Sequence, residues 1–225
     1  MRHKSVATLV LLVCVSPFFG HQQQPEKPVS EEELLMRPVA ISPSPTSVNS
    51  AFQSAIMAAH AAGGEVLMQG CAEPSNSVVR PKEGSTLRKL LDDIVAADPD
   101  YRWEVKDGVV NLLPAKGVPD LLTLRIGAFD SGDARDAITA ETFLFALPEV
   151  RQRTDELGLD NAGIVHGLHG FLPGAPPPPR LKVRLKDVTL LEALNALVRA
   201  NKHGVWIYRE IHCESTNHFD ISLAE

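Results

Sequence analysis

Two stretches of this chain superimpose without a gap: "TLRKLLDDIVAADPDYRWEV" (86–105) and "TLLEALNALVRANKHGVWIY" (189–208). Thr86 meets Thr189, Leu87 meets Leu190, Leu91 meets Leu194, Ile94 meets Leu197, Val95 meets Val198, and Ala97 meets Ala200. Trp103 meets Trp206, so the chain's 2 tryptophans share one place in the two copies. Any amphipathic helix needs leucines at such intervals. Paired threonines and paired tryptophans are harder to obtain by chance. A chain patterned in this way has to build a strand–helix–strand unit twice. The expected fold class is α+β: two small related mixed units, each with a short sheet packed on one or two helices.

The local chemistry of the second copy supports this. Thr189 can cap a helix, and Glu192 three residues later completes a capping box. Leu190, Leu191, Leu194, Leu197 and Val198 form one apolar stripe, and His203-Gly204 ends the helix. Each such side chain stabilises by about 1.5–3 kcal/mol on burial, before the entropy of ordering is subtracted.

Other elements follow from periodicity. Phe52, Ala55, Ile56, Ala59 and His60 mark one face of a helix that starts near Asn49 and stops at Gly63-Gly64. "EVLMQ" and "SVVR" read as short strands. "YRWEV" and "VVNLL" read as a hairpin turned at Lys106-Asp107-Gly108. "LLTLRIG" (121–127) alternates, with Leu122, Leu124 and Ile126 on one face. A helical region covers about 134–157, interrupted or restarted at Pro148. "RLKVRLK" and "HFDISLA" are alternating strands. The expected organisation is a signal peptide at 1–20, a flexible Pro/Gln/Glu-rich tether at 21–47, a first module at 48–115 and a second at 119–225. The second module carries a Gly/Pro-rich loop at about 158–180, whose proline run favours an extended spacer.

The opening "MRHKSVATLVLLVCVSPFFG" has a basic start and an apolar run from Val6 to Val15. That run suits a signal-peptide core and falls short of the roughly 20 residues a membrane helix needs. The expected location is therefore periplasmic or secreted, with no membrane span after leader removal. Hydrophobic residues make up 44% of the 225, enough for an ordinary core. The net charge of −6, with no dominant basic block, argues against nucleic acid as a partner. Cys71 and Cys213 remain once Cys14 leaves with the leader. In an exported chain they are either one disulfide or two separate thiols.

"VRLKDVTLLEALNALVRANKHGVWIYRE" resembles the short N-terminal module shared by secretins and TonB-dependent transducing receptors. Residues 181–210 carry the better match, with "KDVTL-x-EAL" its most specific part, and residues 84–114 a weaker one. The resemblance implies small mixed α/β units in the periplasm that contact other proteins and carry out no chemistry. It transfers no functional residue, because the shared positions are core positions.

The residues themselves leave several site readings. Trp206, Tyr208 and Trp103 on alternating strands are candidate interface anchors, since tryptophan and tyrosine are favoured at hot spots. Lys182 and Arg184, with Lys186, form a basic strand face able to guard an edge or accept a partner's strand. His166 and His169 in "HGLHG", with His212 and His218 around Cys213, are weak metal candidates that need further donors. His60 reads as a packed histidine, and Asp92-Asp93 and Glu31–Glu33 as solvated charge. No nucleophile elbow or phosphate loop is present. The expectation is a non-enzymatic module without a cofactor that binds another envelope protein, an accessory to a secretion, pilus or receptor system. The alternatives are a metal-binding or hydrolytic envelope protein using the His/Cys clusters, and a small-ligand sensor.

Overall fold

The computed structural model describes residues 29–71, 77–132, 134, 136–164, 181–213 and 216–224. It is an α+β fold in which the repeat extends well beyond the two aligned stretches. The first module runs β1 (Thr46–Ser47), α2 (Val48–Ala58), β2 (Ala62–Gly70), β3 (Val78–Val79), α3 (Leu87–Ala97), β4 (Tyr101–Lys106), β5 (Val109–Pro114). The second runs β6 (Arg125–Asp130), α4 (Ala137–Phe145), α5 (Pro148–Leu157), β7 (Asp160–Ile164), β8 (Arg184–Thr189), α6 (Leu190–Asn201), β9 (Gly204–Cys213), β10 (Thr216–Ala224). Element answers element, with α4 and α5 together standing where α2 stands. The pairings repeat as well. β1 lies against β3 as β6 lies against β8, and both pairs are antiparallel. β5 runs between β4 and β2 as β10 runs between β9 and β7.

The two modules share one six-stranded sheet, in the order β4-β5-β2-β9-β10-β7. The junction is the parallel pairing of β2 with β9, in register from Ala62↔Gly204 to Gly70↔His212. β4 runs against β5 and hence against β2, whereas its counterpart β9 runs along β2. The second module thus keeps the left-to-right order of its strands but reverses their direction. Turning a module over about an axis in the sheet, across the strands, does both, and it moves the helices to the opposite face. Two cores result. One, on the α2/α3 face, includes Phe52, Ile56, Leu87, Leu91, Val110 and Leu112. The other, on the α4/α6 face, includes Leu144, Leu190, Leu194, Leu197, Phe219 and Ile221.

Capping follows the sequence. Thr86 and Thr189 each accept a hydrogen bond from the backbone N–H three residues on, and Thr189 with Glu192 forms the capping box. Pro148 sits in the first turn of α5, where a missing N–H costs nothing. The β4–β5 hairpin turns through Asp107 (φ 54°) and Gly108 (φ 77°).

Several expectations change. Within the segment expected to be a tether, α1 (Glu31–Leu35) is formed and Leu34, Leu35 and Val39 are buried in the α2/α3 core. These apolar side chains cover α3, and Pro38 bridges Thr86. Gly63-Gly64 does not merely stop a helix; both glycines lie inside β2. Leu121 and Leu122 are buried within turns, and the strand begins only at Arg125. β7 occupies the start of the stretch expected to be a loop.

Candidate functional site

β9 crosses the middle of the sheet, and its alternation decides the fate of the expected anchors. Val205 and Ile207 point into the α2/α3 core, and Trp206 and Tyr208 into the α4/α6 core. Trp206 and Tyr208 are both 0% exposed, so neither offers surface to a partner. A strand covered on both faces buries both of its side-chain sets. The Trp206 indole occupies the space over Gly64, where a Cβ would come within 2.1 Å of Cε2. Its Nε1 donates to Asn195 Oδ1 at 2.8 Å. Trp103 makes the same kind of contact one repeat earlier, donating to Asp92 Oδ1 at 3.1 Å. In both modules the acceptor lies 11 residues before the tryptophan. The difference is the neighbour: β9 has β2 beside it, whereas β4 is an edge, so Trp103 is only half-buried.

The remaining expected residues are dispersed. Lys182 and Arg184 are exposed around an open concavity with Asp130 and Gly132, and Arg184 Nε donates to Asp130 Oδ2 at 2.9 Å. His212 pairs in register with Asn217, and His218 with Ile211, which places the two histidines on opposite faces of the sheet. His166 and His169 lie outside the described residues. Among the described residues no group of three His, Cys, Asp or Glu gathers as a metal cluster. Cys71 and Cys213 meet at disulfide distance, their Cα atoms 4.9 Å apart, because β2 and β9 end side by side.

A cavity of about 610 Å³ lies beside the same ends of β2 and β9, lined by Met68 from the one and by Glu210 and His212 from the other. Its origin is a step in the sheet: β2 pairs with β5 only through Glu65 but continues beside β9 to Gly70. Tyr101 from β4 reaches across the step, its hydroxyl hydrogen-bonded to the backbone of Met68. The turn after β5 (115–120) and the end of α5 form the opposite wall. Met68, Val118 and Leu159 supply apolar lining, while Asp98, Asp100 and Asp120 bring carboxylates. Burial, then the charges of Glu65, Asp98 and Asp100, push the Tyr101 phenol up to about 12.

Glu210 and His212, two strand positions apart, line the same cavity. Glu210 is 7% exposed. One of its oxygens lies 2.6 Å from His212 Nε2, and the other accepts from the Tyr208 hydroxyl. A buried carboxylate held in this way fixes the orientation of the imidazole it touches. Burial, the hydrogen bond to Glu210 and the charge of Glu210 all raise the Tyr208 phenol pKa, which keeps this phenol a donor. Carboxylates, an imidazole and the Lys116 ammonium on an apolar wall are groups suited to holding a polar or cationic ligand.

The sequence reading missed this cavity, although one signal was present. Glu210 continues the face of Trp206 and Tyr208, so a carboxylate at the end of a buried stripe was visible in the alternation. The Asp98–Tyr101 and Lys116–Asp120 contributions were not, because they meet β9 only through the parallel junction.

No protein-family model matches the chain, and no curated protein or solved structure matches it. Among the described residues no helix is long and apolar enough to cross a membrane.

Proposed function

We propose that this is an exported, non-enzymatic protein-interaction module of the bacterial cell envelope, an accessory to a secretion, pilus or receptor system, that docks its partner at the cleft between its two modules. The carrying observation is the turned-over tandem arrangement, which creates a cleft belonging to neither module alone. The leader-like start, the resemblance of both repeats to secretin and TonB-receptor N-terminal modules, and a cysteine pair at disulfide distance support export and an interaction role. Within the stretch that carries the resemblance, Leu190, Leu191, Ala193 and Leu194 are buried, while Lys186 and Asp187 are exposed.

The test places a photo-crosslinking amino acid at Val118 in the cleft, and separately at Arg88 on the outer surface of α3, in the full chain expressed in its native envelope. A specific partner captured from Val118 and not from Arg88 supports the proposal. A reproducible lack of any protein adduct from Val118 overturns it.

The small-ligand sensor remains a second reading, favoured by the same cavity volume. A ligand-dependent rise in melting temperature from an envelope extract stripped of protein would select it.

A further inference from the structure

We propose that the cleft receives a lysine or arginine side chain carried on an extended peptide segment of the partner. This rests on the reading of the cleft as the docking place and names the chemistry it recognises. Three features converge on it.

The first is shape. At about 610 Å³ the cavity is ample for one long side chain with its flanking backbone. It opens along the β5-facing side of β2 beyond Glu65, where the sheet has no further β5 partner. An extended peptide can lie along such a step, adding backbone contacts to a side-chain pocket. A free small amine would leave that step uncovered.

The second is the apolar part of the lining. Met68, Tyr101 and Leu159 supply it, with Met68 39% exposed although it is a large hydrophobic residue. The aliphatic stem of a lysine or arginine covers surface of this kind while its charged end stays polar. An aromatic ring beside the stem also attracts the cation.

The third is charge and preorganisation. Asp98, Asp100, Asp120 and Glu210 line the cavity against one ammonium, Lys116, and one imidazole, His212. Glu210 is the built element: more than nine-tenths buried, it is fixed by Tyr208 and His212 with its carboxylate at the cavity wall. The Tyr101 phenol on β4 is raised first by burial and then by the charges of Glu65, Asp98 and Asp100, the last two of which line the cavity. An incoming guanidinium or ammonium meets two buried carboxyl-bearing side chains, Asp98 and Glu210, that are held by hydrogen bonds. Asp100 and Asp120 are exposed beside them, and a charge-assisted contact to a held carboxylate is stronger than a neutral one.

The experiment is calorimetric titration of the full mature chain with four blocked tripeptides, Ala-X-Ala, where X is lysine, arginine, norleucine or glutamate. The lysine and arginine peptides should bind saturably, and the norleucine and glutamate peptides should not. Asp100→Asn should weaken binding roughly five-fold, and Val118→Trp, which fills the cleft, should abolish it. Melting temperatures of both variants close to the parent's show that the fold is intact. Equal binding of the norleucine or glutamate peptide overturns the proposal. So does a titration without saturable heat, or binding indifferent to both substitutions. The two readings fail separately. A partner captured from Val118 through a segment without lysine or arginine refutes the ligand chemistry and leaves the interaction reading standing. Selective binding of the basic peptides with no captured partner does the reverse.

Discussion

Replacing Gly64 by alanine adds one carbon at the seam between the modules. That carbon would sit 2.1 Å from Trp206 Cε2, 2.2 Å from Cζ2 and 2.5 Å from Nε1, far inside van der Waals contact. The indole has nowhere to retreat, being 0% exposed and tied to Asn195. Forced overpacking of a well-filled core costs about 1–3 kcal/mol. If the indole swings away from Asn195, a buried donor loses its partner at a further cost of about 1–3 kcal/mol. A total near 3 kcal/mol lowers the melting temperature of a chain this long by about 10 °C. Gly63→Ala, whose added carbon meets the Ile56 side chain at 3.0 Å and Val205 Cγ2 at 3.4 Å, should fall between that and no effect. Gly127→Ala has nothing within 4 Å and should stay within about 0.5 kcal/mol of the parent. Thermal melting followed by circular dichroism reads all three. A Gly64→Ala protein that melts within about 2 °C of the parent would show that Trp206 does not lie over Gly64, and with that the register of β2 on β9 would fall.

The other predictions concern buried charge, the cysteine pair and the helix cap. Glu141 on α4 is fully buried with neither oxygen hydrogen-bonded, and burial pushes it up to about 8. Its folded value lies above its unfolded one, so its contribution is complete below about pH 4.5 and lost as pH rises through about 8. Glu141→Gln should therefore match the parent near pH 4 and exceed it by a few kcal/mol above pH 8; equal urea midpoints at both pH values would refute this. Glu65, raised to about 7 mainly by burial, gives a parent trend of the same sign. Cys71→Ser removes a link across a sequence separation of 142 and should cost up to about 5 kcal/mol by the chain-entropy account. Non-reducing peptide mapping should find the 71–213 pair in protein isolated without reductant, and two free thiols there would contradict it. Glu192 is lowered to about 2, first by its hydrogen bond to Lys106 and then by the cap on Thr189. Its contribution is present above about pH 4.5 and lost as pH falls toward 2. Glu192→Ala should cost about 1 kcal/mol at pH 7 and little at pH 2, and an unchanged midpoint at pH 7 would argue against the cap.

What the sequence revealed was local. The Thr189 cap, the leucine stripes, the hairpin at Asp107-Gly108 and the Pro148 break each depend on residues a few positions apart, and each appears in the fold. The repeat also proved to be a structural equivalence, down to the matching hydrogen bonds of Trp103 and Trp206. What escaped was everything decided by the parallel pairing of β2 with β9. Alternation alone could not say which face of β9 met a core, because both do. The same pairing turned Trp206 from a candidate anchor into a seam residue and gave Gly64 a steric role. It also assembled the cleft from segments near 68, 100, 118 and 210, which no short window of sequence contains. Burial of Leu34 and Leu35 was hidden for a related reason: their partner is α3, some fifty residues away.

The claim that the two repeats form one sheet is tested most directly by asking whether they unfold together. Trp103→Phe leaves Trp206 as the sole tryptophan, in the second module, and Trp206→Phe leaves Trp103, in the first. In each variant, urea unfolding is followed by tryptophan fluorescence and by far-ultraviolet circular dichroism. A shared sheet predicts one transition, with coincident midpoints from the two signals in both variants. Separated midpoints, with one module's tryptophan released while half of the secondary structure persists, would contradict the shared sheet and return the protein to two independent modules.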